Sequence, residues 1–157
     1  MSFNVFVLNN DLNKTSKLNL INFYQSIEYF YNNNDGTKII TINKDLTYKY
    51  SAKHLVNILC NISLTSLNSY NKSIRKIFNF KYNNPIVLNK ITLLVIGNIN
   101  NYDTVFINYN NVYEIKSINE DKVLFKFYSN RELIINKGYD YIDKQIDKIT
   151  NVKRYLK

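Results

Sequence analysis

The apolar positions of this chain fall into a few helix-spaced runs and many strand-like ones. Leu55, Ile58 and Leu59 lie on one side of a helix expected from Ser51 to about Asn61, with Ser51 as its cap. A second helical run opens the stretch from Ser69 to Leu88. On a helical wheel Tyr70, Ile74, Ile77 and Phe78 fall within about a third of a turn, and Lys72, Arg75 and Lys76 fall opposite. Ser69 is the expected N-cap and Asn79 the expected stop. Phe80, Lys81 and Tyr82 then run on extended toward Pro85. Beyond Pro85 the spacing becomes that of strands, predicted at Pro85–Leu88, Ile91–Ile96, Val105–Tyr109, Val112–Ile118, Lys122–Tyr128 and Glu132–Ile135. Connections this short make neighbouring strands antiparallel, because parallel pairing needs a long crossover. A last helix from Asp140 carries Ile142, Ile146, Ile149, Val152 and Leu156 at spacings of three and four.

The first fifty residues are less regular. Phe3 to Leu8 reads as a strand and Asn9 to Lys17 as a polar loop. Leu18 to Tyr31 reads two ways: Leu20, Phe23, Tyr24 and Ile27 have helical spacing, whereas Tyr29, Phe30 and Tyr31 look extended. Asn34-Asp35-Gly36 is a tight-turn signal, since Asp-Gly accepts the positive φ a hairpin demands. Strands at Thr37–Ile42 and Leu46–Tyr50 follow, with a turn at Asn43-Lys44-Asp45 between them. No internal repeat or linker divides the chain. The expected architecture is a single α+β domain over residues 1–157, a meandering antiparallel β-sheet with two short central helices and a C-terminal helix.

Composition adds modestly to this picture. At 157 residues and 45% hydrophobic content, the chain can bury a core without staples. Runs such as Asn32-Asn33-Asn34 fit an AT-rich genome, so the abundance of Asn, Lys and Tyr says little by itself. A lone cysteine, Cys60, cannot form an internal disulfide, and the start at Met1-Ser2-Phe3-Asn4 has neither a positive leader nor a long apolar run. The longest apolar stretch, Ile91 to Ile96, is too short to span a bilayer. A cytoplasmic, nucleoid-associated protein with no membrane partner is expected.

The placement of charge is more informative. Between Asp45 and Asp103 there is no acidic residue, yet the interval holds Lys49, Lys53, Lys72, Arg75, Lys76, Lys81 and Lys90. The first 45 residues balance four basic against four acidic side chains, and residues 103–157 set ten against eight. The net charge of +9 therefore belongs mainly to residues 46–102, the expected DNA-binding region. A lone amphipathic helix with cations is most simply a solvated surface helix, but a field this concentrated suits a polyanion, with double-stranded DNA ahead of RNA or a membrane. Lys72, Arg75, Lys76 and Lys81 are the expected phosphate contacts; Arg75 is also the expected occupant of the narrow minor groove of A-tracts, with Arg131, in a turn beside Glu132, as the secondary candidate for that role.

Catalytic chemistry is hard to assemble from these residues. His54 and Cys60 are six positions apart on one helix and project apart, so they make no nucleophile–base pair. Neither has companions for a zinc site, and Gly36, Gly97 and Gly138 are too isolated to cradle a phosphate. Cys60 reads as a small buried residue and His54 as a surface or cap residue. Asp143 and Asp147 share a face of the last helix that solvation explains. No enzyme activity, no cofactor, no metal and no small-molecule substrate are expected.

The order of elements resembles the competence transcription factor (ComK) family of low-GC Gram-positive bacteria over roughly Tyr48 to Lys148. The shared pattern is an extended segment and short helix ending at a cysteine (Thr47 to Cys60), then a Ser-Tyr basic segment leading to Pro-Ile (Ser69-Tyr70 through Lys81 to Pro85-Ile86). An aromatic-Ile pair (Phe106-Ile107), an Asn-bearing turn before a β run (Ser129-Asn130-Arg131 before Leu133-Ile134-Ile135) and a Gln on the terminal helix (Gln145) complete it. The family's Gly-Arg is replaced by Asn71-Lys72-Ser73, its Phe-Pro-Thr strand end is absent from Leu93 to Asn98, and its tryptophan position is Phe106. The resemblance implies a transcriptional activator that binds A/T-rich promoter boxes as a dimer or higher oligomer. The alternative reading is a non-enzymatic phage or mobile-element protein that inhibits a protein or nucleoprotein partner. The terminal stripe likewise has two readings: a face that covers the sheet, or an apolar end at Val152 and Leu156 that meets a second copy in a homodimer.

Overall fold

A computed structural model describes residues 7–8 and 16–157. The elements in order are β1 (Val7–Leu8), α1 (Lys17–Ser26), β2 (Ile27–Asn33), β3 (Gly36–Thr41), β4 (Asp45–Tyr48), α2 (Ala52–Cys60), α3 (Leu67–Phe78), β5 (Ile86–Val87), β6 (Thr92–Ile96), β7 (Val105–Asn108), β8 (Val112–Asn119), β9 (Lys122–Phe127), β10 (Glu132–Ile135) and α4 (Tyr139–Leu156). The fold is α+β. The strands form a seven-stranded sheet, ordered β1-β4-β3-β2-β7-β6-β5, and a three-stranded sheet, β10-β9-β8. Among the described residues all strand pairings are antiparallel except β1 with β4. Of the expected Phe3–Leu8 strand, residues 3–6 lie outside the described residues, as does most of the Asn9–Lys17 loop.

The ambiguous run from Leu18 to Tyr31 is both of its readings in succession, helix to Ser26 and strand from Ile27. Asn108 on β7 explains the switch. Its Nδ2 donates to the carbonyls of Tyr24 (3.0 Å) and Ile27 (2.9 Å), on either side of the helix-to-strand junction, and so fixes the chain where the helix ends. The Tyr24 hydroxyl in turn donates to Asn108 Oδ1 (2.8 Å) and accepts from the Thr92 amide (2.8 Å), fastening α1 to β6 and β7. The hairpin between β2 and β3 turns at Gly36, whose φ of +128° and 2.2 Å approach of a notional Cβ to the Tyr48 carbonyl oxygen admit only glycine.

One expected pairing does not occur. Strands Val105–Tyr109 and Val112–Ile118 were expected as antiparallel neighbours, yet β7 and β8 belong to different sheets. A 3₁₀ turn at Tyr109–Asn111 redirects the chain there, held by Asn111 Nδ2 donating to the carbonyls of Gln25 (2.9 Å) and Ile27 (2.7 Å). The asparagine side chains that cap α1 thus also break the meander.

One cluster of buried side chains runs from Leu20 to Val152. Phe30 stacks on Phe106 at 5.0 Å between centroids in its middle. Leu55, Ile58 and Leu59 of α2 are buried as expected, joined by Val56 and Cys60, and α4 lies against β5 and β6. Ile142, Ile149 and Val152 of α4 are buried, whereas Ile146 is half-buried and Leu156 is 53% exposed. The stripe is therefore a covering face over most of its length, exposed at its last turn.

Candidate nucleic-acid interface

Helix α3 begins one turn earlier than the spacing predicts. Ser66, not Ser69, is its N-cap, with Oγ accepting from the Ser69 amide (3.1 Å) and donating to Ser69 Oγ (3.0 Å). The earlier start brings Leu67 into the buried face beside Tyr70 and Ile74. Ile77, expected inward, is 47% exposed, and Phe78 is half-buried. The Tyr70 hydroxyl donates to the Pro85 carbonyl (2.7 Å) and accepts from the Val87 amide (2.9 Å), which locks the rotation of α3 against β5. Asn79 ends the helix at φ +57° with its amide on the Arg75 carbonyl (3.0 Å).

The segment after the helix is not extended as expected. Phe80 to Asn84 forms a compact loop: Asn83 has φ +52°, and Asn84 Nδ2 returns to the Phe80 carbonyl (3.1 Å). Lys148 of α4 braces it from the other side, donating to the Tyr82 carbonyl (3.0 Å) and sitting 5.4 Å from the Phe80 ring centroid. Partial burial there lowers the Lys148 pKa.

Together α3, this loop, the start of α2 and the β6–β7 connection enclose a groove of about 230 Å³. Lys53, Lys72, Arg75 and Lys81 line it, with Asn68 and Asn71 along the same side of α3, and Asn98, Ile99 and Asn100 on the opposite wall. Lys53 donates to Asn100 Oδ1 (2.7 Å), tying α2 to that wall. Among the described residues no carboxylate lies within ion-pair distance of Lys72, Arg75 or Lys81. Tyr82 also lines the groove, and two further depressions share residues with it, one at Arg75, Lys81 and Tyr82 and the other at Lys53, Ile99 and Asn100 with Tyr102. Cations that repel one another are held around one depression with no paired carboxylate among the described residues, so the site attracts anions.

Of the five residues singled out in the sequence, Lys72, Arg75 and Lys81 meet at the groove. Lys76 is exposed on α3 but does not line it. Arg131 is engaged elsewhere: its Nε donates to Glu28 Oε1 (2.7 Å), while Ser129 Oγ donates to the other carboxylate oxygen. Glu28 is fully buried on β2, and this cluster joins the two sheets. Sequence reasoning missed Lys53, Asn68, Asn71 and the facing wall, although all lie in the acid-free interval.

The remaining reactive side chains are occupied structurally. The Tyr48 hydroxyl lies 2.7 Å from His54 Nδ1, and the His54 ring stacks on Tyr50 at 4.5 Å. Burial pushes the Cys60 thiol up to about 12, far from the thiolate range of a nucleophile. Among the described residues no three His, Cys, Asp or Glu side chains gather to hold a metal ion, and no helix is long and apolar enough to cross a membrane.

No family model matches the chain, and no curated protein matches it significantly. Among solved structures it is similar to the LytTr DNA-binding domain of a putative methyl-accepting/DNA response regulator from Bacillus cereus, at 11% identity and a TM-score of 0.40, over 78% of this chain and 83% of that one. The functional reading rests on the groove itself.

Proposed function

We propose that this protein is a DNA-binding transcription regulator of the competence type, without enzymatic activity, that holds A/T-rich DNA through the groove beside α3. The observation that carries the reading is the convergence of Lys53, Lys72, Arg75 and Lys81 on one groove inside the acid-free interval. Lys76 extends the same field from the outer side of the helix. A/T-rich DNA fits because its TA steps open readily, and the planar, weakly hydrated guanidinium of Arg75 meets phosphates and base edges better than an ammonium does. The reading includes a homodimer formed through the exposed last turn of α4.

A salt titration tests the groove. Neutralising about four phosphates gives log K against log salt a slope of roughly −4 on a duplex and roughly −3 on a single strand. The quadruple variant Lys53→Gln, Lys72→Gln, Arg75→Gln, Lys81→Gln flattens that slope while the circular dichroism spectrum stays unchanged. An unchanged slope in the folded variant removes the groove from the interface. Absence of DNA binding by the wild-type protein, with capture of an acidic protein instead, would favour an inhibitor.

A further inference from the structure

We infer that the groove grips a single, unpaired DNA strand, with Tyr82 and Tyr102 stacking on its bases at the two ends. The inference rests on the reading of the groove as a nucleic-acid interface and specifies which form of the polymer it takes.

Shape is the first argument. A duplex is read by an element that projects into its grooves. Here the Asn68–Arg75 side of α3 is instead one wall of a depression, faced by the 83–84 and 98–100 segments. The depression between these walls, about 230 Å³, offers room for part of a single strand. The polar lining suits a strand as well. Lys53, Lys72, Arg75 and Lys81 supply the positive track for the phosphates, while the Asn68 and Asn71 amides can meet the edges of unpaired bases.

The two tyrosines provide the second argument. Tyr82 is 72% exposed and Tyr102 is 60% exposed, and neither ring pairs with another among the described residues, whereas the similarly exposed Tyr113 and Tyr128 pack against each other. Each is nevertheless presented from a fixed backbone. The Tyr82 carbonyl accepts from Lys148 Nζ (3.0 Å), and the Tyr102 carbonyl accepts from Asn32 Nδ2 (3.0 Å). A cationic groove bounded by exposed aromatic faces is the arrangement by which proteins hold single strands, since every base offers a face to stack on whatever its sequence. A/T-rich DNA also presents such a strand most readily, because its TA steps unstack easily.

The test compares one A/T-rich oligonucleotide single-stranded, as a duplex, and as a duplex with a central unpaired bubble. The full chain is expected to bind the single strand and the bubble at least about tenfold more tightly than the duplex. On the single strand the salt slope should be near −3, because a single strand releases fewer counterions per contact. Tyr82→Ala and Tyr102→Ala should each lose roughly five- to a hundredfold on the single strand, and Tyr82→Phe and Tyr102→Phe should retain binding. Duplex binding equal to or tighter than single-strand binding overturns the inference and leaves the groove reading intact. Alanine variants that keep their thermal midpoint and bind the single strand like wild type also overturn it. No binding to any of the three forms overturns the groove reading itself.

Discussion

Single buried hydroxyls decide how α1 and α3 sit. Tyr24 and Tyr70 each donate to one partner and accept from a backbone amide of a neighbouring strand, so removing the oxygen orphans a buried N–H. Tyr70→Phe should therefore lower stability by about 1–3 kcal/mol, more than the loss of an exposed hydroxyl, as read by denaturant midpoint. The same tyrosines set an alkaline limit. Burial raises the Tyr24 and Tyr70 pKa values and pushes Tyr48 up to about 12, from an ordinary 10.0. Above pH 10 the unfolded chain loses protons that the folded chain keeps. Stability is thus complete below about pH 10 and falls as pH rises toward 12 and beyond. A melting series from pH 8 to 12 checks this, and a flat profile would contradict it. At the groove, Arg75→Lys keeps the charge but changes the fork and its hydration. It should cost more affinity on A/T-rich than on mixed-sequence DNA, and equal losses would remove Arg75 from sequence selection.

At the scale of elements, the cap of α3 separates what spacing could show from what it could not. Ser66 carries the cap bond, so Ser66→Ala should cost about 1 kcal/mol, with a smaller effect for Ser69→Ala, measured by chemical denaturation. The helices at Ala52–Cys60 and Tyr139–Leu156 and all the strands after Pro85 were legible because their apolar residues keep a local period. Ser66 was not, since two serines three apart offer the same cap chemistry and only the packing of Leu67 chooses between them. The break between β7 and β8 was hidden because Asn108 and Asn111 act on carbonyls of residues 24–27, more than eighty positions away. The groove was half legible for the same reason. Its cations could be counted along the chain, but its far wall and the two tyrosines come from segments brought together by the fold. Arg131 shows the limit most plainly, as its partner Glu28 is 103 positions distant. Arg131→Gln leaves a buried carboxylate with Ser129 alone and should cost about 3 kcal/mol, while the salt slope of DNA binding stays that of wild type.

For the whole molecule, the proposed homodimer would form at the exposed end of α4. The rings of Tyr155 and Phe78 pack edge to face with centroids 5.4 Å apart, so the last turns of α3 and α4 lie side by side, and the half-exposed Ile77 and Leu156 belong to those turns. Val152 is buried in the core and belongs to the fold instead. A two-fold contact through Leu156 and Tyr155 would be self-complementary and would place two basic grooves on one assembly. Linking two sites makes the second engagement intramolecular, so loss of the dimer weakens binding by far more than one contact's worth. The double change Tyr155→Lys, Leu156→Lys adds two positive charges to a protein already at +9, so any gain in simple electrostatic attraction works against the expected loss. Light scattering should show the mass falling from dimer to monomer, with the thermal midpoint retained and affinity for a DNA fragment bearing two sites reduced at least about tenfold. Val152→Lys is the contrasting variant: it should unfold the protein rather than divide it, because a lysine there has no partner for its charge. If the wild-type mass is already that of a monomer at the concentrations where DNA binds, the last turn of α4 is not a contact between copies.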